Sequence, residues 1–141
     1  MAIFTMVDCH VLINGVTLSD HSNQVTVTDS RAKVDVTAFG ATHVANAKGL
    51  GEGSISITMF QDFAAGKTHA TLQPLIGSST PVAVEVRATS AIRSATNPGI
   101  VLAAALLFDY SGLDGGIGDA STITANFDNA PGGTGITYPT A

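Results

Sequence analysis

Apolar and hydroxyl-bearing residues alternate in short runs along this chain. The runs include Val25-Thr26-Val27-Thr28, Ser54-Ile55-Ser56-Ile57-Thr58-Met59 and Ser121-Thr122-Ile123-Thr124. A period of two predicts strands with one face in a core and the other outside it. Residues 81–87 alternate as cleanly, with Val82, Val84 and Val86 on one face and Ala83, Glu85 and Arg87 on the other. Residues 100–108 are apolar on both faces and predict a central strand covered on both sides. Further strands are expected at 10–13, closed by Asn14-Gly15, at 24–28 after the turn Ser19-Asp20-His21-Ser22, and at 33–39 after a reversal at Asp29-Ser30-Arg31. These three read as an antiparallel meander. The Gly- and Ala-rich stretch 40–53 has no clear period and reads as a long loop before the strand at 54–60. Residues 129–141, with Pro131-Gly132-Gly133, read as an irregular tail.

One helical signal interrupts the strands. Within 62–76, Leu72, Leu75 and Ile76 recur at helical spacing, and Asp62 or Thr68 is placed to act as N-cap. Gly66 weakens this segment, and Pro74 has no place in a regular helix interior. A short helix or two broken turns, ended by Gly77, is therefore expected. The fold class is mainly β: a single domain over 1–141, an antiparallel β-sandwich or partly closed barrel with one short flanking α-helix.

Composition changes this picture in one respect. Only 12% of residues are charged, against about 25% in ordinary soluble domains. A free monomer guards its sheet edges and faces with charge. Strands that omit it belong to a protein whose neighbours cover them. At 141 residues the chain is long enough for a hydrophobic core. Its longest apolar run, nine residues at 100–108, falls short of the roughly 20 that a spanning helix needs, so no membrane segment is expected. The N-terminal Met1-Ala2-Ile3-Phe4-Thr5-Met6-Val7-Asp8 has no basic region of the kind a secretory signal carries. The single Cys9 permits no internal disulfide, which suits a reducing cytoplasm.

The net charge is −5, and its distribution matters more than its size. From Ser94 onward there are four acids, Asp109, Asp114, Asp119 and Asp128, and no Lys or Arg. Nucleic-acid binders place cations on phosphates. This chain lacks the means, so any DNA beside it passes without adhesion.

No catalytic, cofactor-binding or metal-binding residue is assigned, and no cofactor is expected. Asp109, Asp114 and Asp119 lie among glycines at a spacing that invites calcium, but the spacing fits neither an EF-hand nor a Gly-rich calcium repeat. His10, His21, His43 and His69 have no close zinc spacing. Cys9 and His10 are adjacent, so on a strand they point to opposite faces and make no nucleophile–base pair. Gly49, Gly51 and Gly53 open no helix, which removes the dinucleotide reading. Six Phe and two Tyr without Trp fit core packing better than base stacking. No serine sits in a Gly-x-Ser-x-Gly elbow. The chain reads as no enzyme.

Several segments, in order and over nearly the whole length, resemble the tail tube (major tail) proteins of long-tailed bacteriophages, those of actinobacterial hosts in particular. They are Val11-Leu12-Ile13-Asn14-Gly15-Val16-Thr17-Leu18-Ser19-Asp20-His21, Val34-Asp35-Val36-Thr37-Ala38-Phe39-Gly40 and Phe60-Gln61-Asp62-Phe63-Ala64-Ala65-Gly66. His69-Ala70-Thr71-Leu72-Gln73-Pro74-Leu75, Ser94-Ala95-Thr96-Asn97-Pro98 and Gly135-Ile136-Thr137 complete the set. The resemblance implies a structural virion protein located in the tail and assembled in the host bacterial cytoplasm. Rings, six copies each, would stack into a tube through which the genome leaves. The implied partners are further copies of the chain and the tape-measure, tail terminator and distal tail proteins, with double-stranded DNA passing through the lumen unbound. On this reading 40–53 is an inter-ring loop, 129–141 is a C-terminal arm reaching between neighbouring copies, and the acids of the last third are candidates for the lumen. Alternatives are another phage part, a tail terminator or capsid decoration protein, or a receptor- or carbohydrate-binding β-sandwich. The absence of Trp weighs against the last.

Overall fold

The computed structural model describes residues 3–141. Eight strands and one helix follow in the order β1 (His10–Ile13), β2 (Val16–Thr17), β3 (Ser22–Asp35), β4 (Asn46–Phe60), α1 (Thr68–Ile76), β5 (Val82–Arg87), β6 (Gly99–Tyr110), β7 (Thr122–Asn129) and β8 (Ile136–Thr137). All strand pairs are antiparallel, in one sheet ordered β2-β1-β5-β6-β7-β4-β3, with β8 also on β6. The sheet curls. Val11 of β1 and Val25 of β3 border one small cleft, though in a flat sheet the five steps between their strands would span about 24 Å. Register shifts in the β3–β4, β5–β6 and β6–β7 pairs supply bends. No ladder joins the two outermost strands, so the barrel stays open along β2 and β3.

The alternation read from sequence sets the inner face. Ile55, Ile57 and Met59 of β4, Ile123, Ala125 and Phe127 of β7, and Leu102, Ala105 and Leu107 of β6 share one core with Val11, Ile13, Val84 and Val86. Leu72 and Leu75 of α1 join that core. Each large aliphatic or aromatic side chain buried in this way stabilises the fold by about 1.5–3 kcal/mol. On the other face, Ser54, Ser56 and Thr58 register with Asp128, Asn126 and Thr124, and the Thr58 and Thr124 hydroxyls lie 3.4 Å apart.

Helix α1 begins differently from expectation. Lys67 is the N-cap and makes no side-chain cap bond; Thr68 is the first helical residue, and its buried hydroxyl donates to the Phe60 carbonyl at 3.0 Å. Pro74 sits inside the helix near its end, where its missing N–H forfeits a single bond. Gly77 closes the helix, its N–H bonding to the Leu75 carbonyl.

Two local readings are corrected, and the irregular tail proves to carry one short strand. The turn expected at Asp29-Ser30-Arg31 is the middle of the 14-residue strand β3, and the meander is absent, because β1 pairs β2 and β5 while β3 pairs only β4. The stretch 40–53 is a loop only as far as residue 45; from Asn46 it is strand β4. The tail is ordered on its own chain. Ile136 and Thr137 pair with Leu102 and Val101, the Gly99 N–H bonds to the Pro139 carbonyl at 2.9 Å, and the Tyr138 hydroxyl donates to Asp29 at 2.7 Å.

Candidate assembly surfaces

Strand β7 leaves β4 at the Ser54–Asp128 pair, but β3 and β4 continue together to Asp35–Asn46. Residues 29–53 therefore form a two-stranded ribbon standing clear of the sheet. Its eight β4 residues, 46–53, project about 27 Å. Residues 28–48 are all exposed. The tip, 36–45, is held by Thr37, whose hydroxyl accepts from the Ala45 N–H at 2.8 Å, and by Asp35, which accepts from the Thr37 N–H at 2.9 Å.

The ribbon has no core of its own. Val34, Val36, Val44 and Leu50 are exposed, and Phe39 at the tip is fully so at 110%. A lone two-stranded hairpin is marginal in water, and exposed apolar residues grouped this way mark a surface that another protein covers. The glycines shape it. A Cβ on Gly51 would lie 2.6 Å from the Arg31 guanidinium, and one on Gly53 would lie 3.0 Å from Ile136 of the docked tail. The Gly49, Gly51 and Gly53 series thus lets β8 and Arg31 lie against bare backbone at the ribbon root.

A second surface lies at the opposite end of the sheet. Phe60, the last residue of β4, registers with Thr122, the first of β7, so the 61–67 and 111–121 connections emerge together there. Phe63 is 62% exposed, Leu113 75% and Ile117 108%. Polar clips hold this end. Gln61 donates to the Tyr110 hydroxyl at 2.9 Å and to the Gly112 carbonyl, and Tyr110 lies 2.7 Å from His69 Nδ1. Phe63 packs on the His69 ring with centroids 4.9 Å apart.

His21 forms the other clip, between Asp20 Oδ1 and Asp62 Oδ2, each at 2.8 Å. Both contacts donate only from a doubly protonated ring, and the two carboxylates, Asp20 first, raise the His21 pKa. Sequence spacing did not show this pairing, because Asp62 lies 41 residues on.

The chemistry-bearing residues weighed from sequence do not converge. Among the described residues no three His, Cys, Asp or Glu side chains gather as a metal site. Asp109 accepts from Asn126 at 3.3 Å on the hydroxyl face, while Asp114 and Asp119 are exposed in the Gly-rich loop. Burial, and next the Asp8 charge, raises the Cys9 thiol pKa, the reverse of activation. The His10 ring stands by the Ser19 hydroxyl at 3.5 Å. Glu85, expected on a polar face, is buried and gripped by Arg93 at 2.6 and 2.9 Å, which holds its pKa below the ordinary carboxylate value.

No family model and no curated protein sequence matches this chain. Solved structures do match in fold. A chain of the virion of a native gene transfer agent particle superposes with a TM-score of 0.70 at 10% identity, over 93% of this chain and 95% of that one. A chain of the sheath–tube complex of an extracellular contractile injection system, in its extended state, gives 0.71 at 10% identity over 99% and 93%. A chain from the tail of an empty gene transfer agent particle, a C6-symmetric assembly, gives 0.61 at 11% identity over 84% and 81%. The chain shares their mainly antiparallel fold over almost its full length.

Proposed function

We propose that this chain is a tail-tube protein: a structural, non-enzymatic virion component whose copies form six-membered rings that stack into a conduit for double-stranded DNA. The observation that carries the reading is the ribbon 29–53, exposed, apolar at its tip and without a core in the single chain. Its counterpart is the apolar patch at the far end of the same strand. A surface at each end, not self-complementary, makes head-to-tail contacts that propagate along an axis. Within a ring, the free β3 edge pairs with a neighbouring copy, which removes the need for protective charge. The exposed side of the docked tail 129–141, with Tyr138 half exposed, serves as the arm between neighbouring copies. The strand face carrying Thr26, Ser56, Thr58, Thr124, Asp109 and Asp128 turns to the lumen. It holds no cation, so it gives phosphate nothing to bind. The fold shared with chains of a gene transfer agent virion, a gene transfer agent tail and a sheath–tube complex supports the same reading; on it, the protein assembles in a host cytoplasm with tape-measure, terminator and distal tail proteins as partners.

The test is to shorten the ribbon. Arg31 registers with Gly51, so excising 32–50 and joining these two through Asn-Gly gives a tight hairpin. Electron microscopy should show tubes from the wild-type protein and none from the shortened chain, which keeps its far-ultraviolet spectrum and its cooperative melt. Long tubes from the shortened chain would remove the ribbon from the assembly contact.

A further inference from the structure

Lys33 and Lys48 stand directly opposite each other across the ribbon. Opposed side chains in an antiparallel pair have Cβ atoms about 4.5–5.5 Å apart, and like charges in that position are destabilising. Neither lysine lies within ion-pair distance of a carboxylate among the described residues. The nearest acid along β3, Asp35, is engaged with the Thr37 N–H, and Asp29 takes the Tyr138 hydroxyl. A marginal hairpin that keeps a lysine pair face to face is completed by an anion from outside.

The complementary charge lies at the other end of the molecule. Asp114 and Asp119 are exposed, flank the exposed Ile117, and make no ion pair among the described residues. The other acids of that end are engaged: Asp20 and Asp62 by His21, and Asp20 by Lys67 at 3.8 Å. The ribbon as a whole balances Arg31, Lys33 and Lys48 against Asp29, Asp35 and Glu52, but its outer part, 31–50, is apolar and carries those three cations against Asp35 alone; the loop is apolar and anionic. The length of β4 from Lys48 to Phe60 separates them by about 40 Å, so they do not meet within one chain.

We infer that the Lys33–Lys48 pair of one copy receives Asp114 and Asp119 of the next copy along the axis. This rests on the tube reading above and names the residues that set its stacking polarity and register. Electrostatic complementarity of this kind chooses partner and orientation more than it adds affinity. The contact repeats once per copy, so small terms accumulate around each ring.

Charge exchange tests it. The variants are Lys33→Glu/Lys48→Glu, Asp114→Lys/Asp119→Lys and the quadruple combination, each checked for a native melt; all four positions are exposed, so folding is expected to survive. Sedimentation and electron microscopy over a concentration series give the onset of tube formation. Each double variant should raise the onset at least about tenfold, and the quadruple chain should return to near the wild-type value. The quadruple and wild-type proteins, mixed, should form separate tubes. If wild-type tubes form and the double variants match them, or the folded quadruple chain stays unassembled, the pairing is wrong while the tube reading stands. If the wild-type protein forms neither rings nor tubes, both fall together.

Discussion

A single imidazole ties the turn before β3 to the segment entering α1. His21 bridges Asp20 and Asp62 with both ring nitrogens, so the bridge needs the imidazolium. Its folded-state pKa lies above the ordinary 6.5. The contribution is therefore fully present below 6.5 and is lost as pH rises through the folded value. Asp20 and Asp62 are shifted the other way, Asp20 chiefly by His21 and Asp62 by the Ala64 N–H and then His21. Their share is present above the ordinary 3.8 and is lost as pH falls. The clip is strongest between these limits. His10 confuses a simple profile, because burial lowers its pKa and its contribution vanishes on acidification instead. The difference between wild type and His21→Gln isolates the clip. The variant should melt a few degrees lower at pH 5.5, and the gap should narrow by pH 9. Equal gaps at the two pH values would mean that His21 stabilises by packing alone. The sequence shows His21 only as a turn residue without zinc spacing, since the bridge depends on the β3–β4 hairpin folding back.

The elements differ sharply in what holds them. Residues 55–59 of β4 lie between β3 and β7 over a buried face, whereas 46–53 of the same strand pair with β3 alone. Local opening free energies run from near zero to the global value, following burial and contact density. In the monomer, amides at 46–50 should exchange at least about a thousandfold faster than those of Ile57 and Met59. Assembly should slow the ribbon and leave the core strands unchanged. Fast exchange of Ile57 with a protected ribbon would reverse this picture. The same contrast explains what was legible. Strands at 10–13, 54–60, 81–87 and 121–127 announce themselves because one face meets a core, 100–108 because it is apolar throughout, although its second face is not fully covered and leaves Ala103 and Phe108 exposed, and the helix appears through Leu72 and Leu75. The outer half of the hairpin meets no core; its β3 side still alternates at Lys33-Val34-Asp35-Val36, but its β4 side, 46–53, does not. Gly49, Gly51 and Gly53 remove the side chains from one face of β4, and Asp29-Ser30-Arg31 has turn composition inside a strand. Register with a partner made those segments extended, and register is not written in a local window. Strand β8 in the irregular tail is hidden for the same reason: it is two residues that pair with β6 and lie against a bare Gly53 far upstream.

Across the whole molecule, the cations are confined by position. Three of the six Lys and Arg residues, Arg31, Lys33 and Lys48, sit on the ribbon, and Arg87, Arg93 and Lys67 are turned to acids of their own chain. The hydroxyl face of β3, β4 and β7 is left with none. A duplex carries one negative charge per about 1.7 Å of its length, and each phosphate neutralised by protein adds affinity through released counterions. A wall of Ser, Thr, Asn and Asp releases no counterions, so on the proposed tube reading a duplex inside it would slide. The property hangs on the absence of cations and is reversed by adding one. Thr124→Lys, on an outward-facing position of β7, places one lysine per copy on that wall and therefore a ring of them at every level of a stacked tube. Tubes of this variant should keep the wild-type diameter, retain short duplex DNA at low salt, and release it steeply as salt rises. Wild-type tubes should retain none at either salt. Variant tubes that hold no more DNA than the wild type would turn this face away from the channel and assign the lumen to another surface of the ring.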